Sequence, residues 1–63
     1  MKRFTYLELI IRQPASEEDA IARFREKVTN QFRLRILGEP LIYWQDHLFE
    51  KRPDAIVKAR VAK

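Results

Sequence analysis

The residues with the strongest chemical potential lie close together in "LIYWQDHLF", positions 41 to 49, where three of the chain's seven aromatics, its only tryptophan Trp44 among them, stand with its only histidine, His47. His47 follows Asp46, a pairing that could serve acid-base catalysis if the carboxylate oriented the imidazole. On an extended strand, however, adjacent residues point to opposite faces, and no serine or cysteine nucleophile pattern accompanies the pair. His47 is therefore expected on the surface or half-buried, with no catalytic role. Glu17, Glu18 and Asp19 offer three carboxylates in a row, but successive positions on a helix diverge, so they read as a solvated first turn rather than a metal site.

The inventory excludes the common enzyme constellations. One glycine cannot build a glycine-rich phosphate loop, and one histidine without any cysteine cannot supply the usual zinc sets. The chain is expected to be non-enzymatic, with no cofactor and no metal.

Basic residues give a more promising pattern. The formal net charge is +4, and eight of the 13 basic residues are arginine, the side chain best suited to bidentate phosphate contacts. Arg33 and Arg35 alternate with apolar residues in "FRLRIL", as do Lys58 and Arg60 in "AIVKARVAK". If the two segments are neighbouring strands, these four form one basic stripe on the outer sheet face, extended by Lys2 and Arg3, that could bind nucleic acid or another polyanion. The nine acidic residues dispersed among them make an ordinary mixed surface the competing reading.

Elements must position those residues. With 63 residues the chain is expected to form one domain, 1–63, that buries only about 60% of its unfolded surface and gains from self-association. The 46% hydrophobic content argues against disorder. No apolar run approaches a membrane span, and the absence of cysteine is compatible with a cytoplasmic location.

"RFTYLELIIR" (3–12) reads as a strand that is apolar on both sides, with Leu7, Leu9 and Ile11 opposing Phe4, Tyr6 and Ile10, and so as a central strand or one covered by a second subunit. "SEEDAIARFREKVTNQF" reads as a helix. Ser16 caps it, Asp19 stands at the capping-box position, Asp19 and Arg23 pair at i,i+4, and Ile21, Phe24, Val28 and Phe32 form an apolar stripe with Ala20.

Segment 32–37 fits a strand better than a helix end closed by Gly38, with Phe32, Leu34 and Ile36 inward, and "GEP" should break the chain after it. For 41–49 a strand is preferred to a helix begun by Pro40, and Tyr43, Trp44 and Phe49 are expected mostly in the core. Pro53 and Asp54 suit a type I turn, followed by a strand with Ala55, Val57, Ala59 and Val61 on one face. The expected architecture is an α+β two-layer sandwich, β-α-β-β with a further strand if 32–37 and 41–49 are separate, its single helix lying on an antiparallel or mixed sheet.

This order is similar to that of dodecins, small flavin-binding oligomers, and "SEEDAI" resembles their helix start; Trp44 does not directly follow the helix, and no flavin site is carried over. Tautomerase subunits have a similar strand-helix-strand build, but their activity depends on an N-terminal proline and this chain begins Met1, Lys2. Two functions follow as expectations: a basic binding protein contacting nucleic acid or another polyanion through Arg33, Arg35, Lys58 and Arg60, or a homo-oligomeric protein-interaction module using the two-sided strand and the aromatic cluster.

Overall fold

The computed structural model describes residues 5–46 and 53–63. Strand β1 (Thr5–Ile11) leads to helix α1 (Glu17–Asn30), followed by strands β2 (Arg35–Asp46) and β3 (Pro53–Ala62). The sheet order is β1-β3-β2 with both pairings antiparallel, and α1 packs on one face, giving a small α+β fold.

The helix begins where its side chains satisfy its first N–H groups. Ser16 Oγ accepts from the Asp19 N–H at 3.1 Å, while Asp19 Oδ2 accepts from the Ala15 N–H at 2.9 Å and pairs with Arg23 Nη2 at 3.0 Å. This is a capping box displaced by one residue: the aspartate accepts from Ala15 rather than from the Ser16 backbone.

At the other end the Gln31 N–H bonds Lys27 O, and the Leu34 N–H reaches back to Val28 O. Arg33 takes a left-handed φ of 56°, which reverses the chain towards the sheet. Consequently β2 starts at Arg35 rather than residue 32, and Phe32, expected inward, is carried to the surface.

Residue periodicity accounts for the core. Ala20, Phe24 and Val28 on α1 meet Ala55, Val57, Ala59 and Val61 on β3, with Ile11 at the end of β1. Leu7, Leu9, Leu34, Ile36 and Ile42 pack around its margin. β3 alternates small and branched residues on its inner face, so the helix can approach closely over the middle of the sheet.

Three expectations are corrected by the topology. β1 is an edge strand, not a central one; β3 occupies the centre, and the outward Tyr6 and Ile10 remain exposed. "GEP" does not end a strand, because β2 runs through it: Leu37 pairs with Arg60 and Leu41 with Lys58, so four steps on β2 match two on β3. The two extra residues form a bulge in which Gly38 adopts φ 83° and Pro40 lies on an edge strand, where its missing N–H is tolerated.

Pro53 and Asp54, expected in a turn, open β3. Asp54 is fully buried: its Oδ1 accepts from the Gln13 N–H at 2.9 Å and its Oδ2 lies 3.5 Å from Arg12 Nε. Together with the Arg23 Nη1 bond to Arg12 O at 3.0 Å, this fixes the β1–α1 connection against the start of β3.

Candidate binding face

Antiparallel partners share a face of the sheet, so the registers sort every strand residue. The buried Ala55, Val57, Ala59 and Val61 define the helix side. Opposite it, Ile56, Lys58 and Arg60 run down the central strand, flanked by Tyr6, Glu8 and Ile10 on β1 and by Arg35, Leu37, Leu41 and Tyr43 on β2. Among the described residues no element packs across this face.

Three of the four predicted basic residues meet here. Lys58 and Arg60 stand two positions apart on β3, and Arg35 pairs with Ala62, which makes it a diagonal neighbour of Arg60. Arg33 does not join them, because its left-handed backbone places it in the connection ahead of β2 and outside the ladder. Lys2 and Arg3 lie outside the described residues, as do His47, Leu48 and Phe49.

The surroundings of the cations were not foreseen. Tyr43 and Trp44, expected largely in the core, are 53% and 48% exposed, and Leu41 beside them is 58% exposed. The reason is the single helix: it covers one side of the sheet, and β2 is the edge strand furthest from β1. Ile42 packs on the core margin between Leu41 and Tyr43, which face the uncovered side. Trp44, paired with Ala55, stands at the sheet end beside Pro14, Ala15 and Pro53, where it borders an open depression of about 410 Å³.

Tyr6 and Tyr43 thus flank the basic strand from opposite sides. Lys58 Nζ lies 5.0 Å from the Tyr6 ring centroid, within cation–π range, and Glu8 is its direct cross-strand partner. Lys58 is therefore partly compensated, whereas Arg35 is exposed at the margin. A shallow depression of about 170 Å³ runs between Tyr6, Leu37, Glu39, Leu41, Lys58 and Arg60.

Comparison with known protein families, characterised proteins and solved structures gives no match. The face must be read from its own geometry. Among the described residues no three His, Cys, Asp or Glu side chains come together to hold a metal, and no helix is long and apolar enough to cross a membrane.

Proposed function

We infer that the chain is a non-enzymatic binding protein whose uncovered sheet face takes single-stranded nucleic acid. The observation that supports this reading is the placement of Lys58 and Arg60 between two exposed tyrosines, with Arg35 beside Arg60 on the same open face. Unstacked bases can lie on aromatic rings while cations neutralise the phosphates beside them, a combination that needs no base-specific hydrogen bond. An open three-stranded face suits splayed bases better than it suits a duplex, whose major groove admits a helix or a two-stranded ribbon. Tyr43 is the better stacking platform, since Lys58 already lies over Tyr6.

Titrating a fluorescent single-stranded oligonucleotide at increasing salt tests this. With two or three phosphate contacts the log-log slope should be about −1.4 to −2.1. Replacing Arg35 and Arg60 together by glutamine should make it shallower by about 1.4. No detectable binding at low ionic strength refutes the reading.

A second reading, a self-associating interaction module, is supported by the exposure of Tyr6, Ile10, Leu41 and Tyr43 on the same side, an apolar area of the kind that marks contact surfaces.

A further inference from the structure

The two edges of the sheet are unlike. On β2 the ladder is interrupted by the Gly38–Pro40 bulge, and Pro40 has no N–H to offer a further strand, features that discourage edge-to-edge pairing. On β1 the register runs without a break from Thr5 to Ile11, with no proline and no bulge, and no strand pairs with its outer side among the described residues. An unprotected edge of this kind is a template for another strand.

The sequence of β1 identifies the strand that fits. "TYLELII" is nearly symmetric in polarity about Glu8: leucines stand on either side of it, then Tyr6 and Ile10, then Thr5 and Ile11. We propose that β1 pairs antiparallel with β1 of a second copy, with the two-fold axis passing through Glu8. This rests on the self-association reading above and assigns it to the edge rather than to the open face.

In that register Leu7 meets Leu9 of the second copy on the helix side, and Tyr6 meets Ile10 of the second copy on the open side. All seven residues overlap, and the two-fold repeats every apolar match. Shifting the axis to Leu7 or Leu9 shortens the overlap and sets Glu8 opposite Tyr6 or Ile10. The centred register places Glu8 against Glu8 of the second copy, but Lys58 is already the direct partner of Glu8 on β3. The row across the joined sheet therefore reads Lys58, Glu8, Glu8, Lys58, with no net charge.

Since paired residues share a face, both helices fall on one side of a six-stranded sheet. The two open faces join on the other, doubling the continuous track of tyrosines and cations.

The chain contains no cysteine, so a single introduced one can form only an intermolecular disulfide. With the axis through residue 8, the two cysteines of Glu8→Cys lie directly opposite, at a Cα separation of about 4.5–5.5 Å, within the span a disulfide bridges. In Ile10→Cys the equivalent atoms are about 13 Å apart, four strand steps. Mild oxidation should convert Glu8→Cys to a covalent dimer and leave Ile10→Cys largely monomeric on denaturing gels. A cysteine-free protein that is dimeric by light scattering, but whose Glu8→Cys variant does not cross-link ahead of Ile10→Cys, overturns the edge pairing and leaves self-association standing. A protein that stays monomeric at all concentrations overturns both.

Discussion

Asp54 is the residue whose importance exceeds its sequence signal. Beside Pro53 it has the look of an exposed turn residue, yet it is fully buried and accepts the Gln13 N–H, holding a connection in which Gln13 itself has φ 44°. Replacing it by alanine removes this bond to the part-buried Gln13 amide and the Arg12 pair with it, and should cost roughly 1–3 kcal/mol, measured by chemical denaturation. Phe24, by contrast, was legible from its place in the helical stripe, and its burial at the centre of the core agrees. Phe24→Ala should cost about 3–5 kcal/mol, enough to threaten a domain this small, and thermal melting would show the loss. The two residues differ in what local pattern can report. Periodicity tells which face a side chain occupies, so it identifies Phe24; a contact that joins residue 54 to residue 13 leaves no periodic trace.

At the level of elements the helix and β3 were the most legible parts. Ser16 and Asp19 announce the helix start chemically, and the strict alternation of Ala55, Val57, Ala59 and Val61 is the period of a strand with one buried face. Strand order was not legible, because two-sided apolarity suggests burial on both faces without naming the neighbours. β1 has that pattern and nevertheless lies at an edge. The bulge was hidden for a related reason: glycine followed two residues later by proline reads as a stop, and only the register with β3 shows that β2 continues beyond it. Gly38 supplies the left-handed backbone there, and a Cβ at that position would meet nothing within 4 Å. The cost of Gly38→Ala is thus conformational rather than steric crowding, roughly 1–2 kcal/mol by denaturation. A larger loss would mean that the bulge itself collapses and displaces Leu41 and Tyr43 from the open face.

For the whole molecule the decisive issue is whether charge acts by place or merely by amount. A chain with net charge +4 attracts polyanions at low salt wherever its cations lie, so binding alone does not locate a site. The fold provides an internal comparison. Arg25 and Lys27 are exposed on α1, which covers the opposite side of the sheet from Arg35 and Arg60. Replacing either pair by glutamine lowers the net charge by two; Arg25, Lys27 and Arg35 are exposed, where such changes usually alter stability by no more than about 0.5 kcal/mol, whereas Arg60 is half-buried, so the folding of that variant is checked by thermal melting. Diffuse attraction, screened beyond about 10 Å at 0.1 M salt, would respond similarly to both variants. Direct phosphate contacts would respond to one. Arg25→Gln with Lys27→Gln should therefore leave the salt slope of oligonucleotide binding within about 0.3 of the parent, while Arg35→Gln with Arg60→Gln reduces its magnitude by about 1.4, the loss of two single-strand phosphate contacts. Equal reductions would show that the arginines on the sheet serve the overall charge and hold no strand in place.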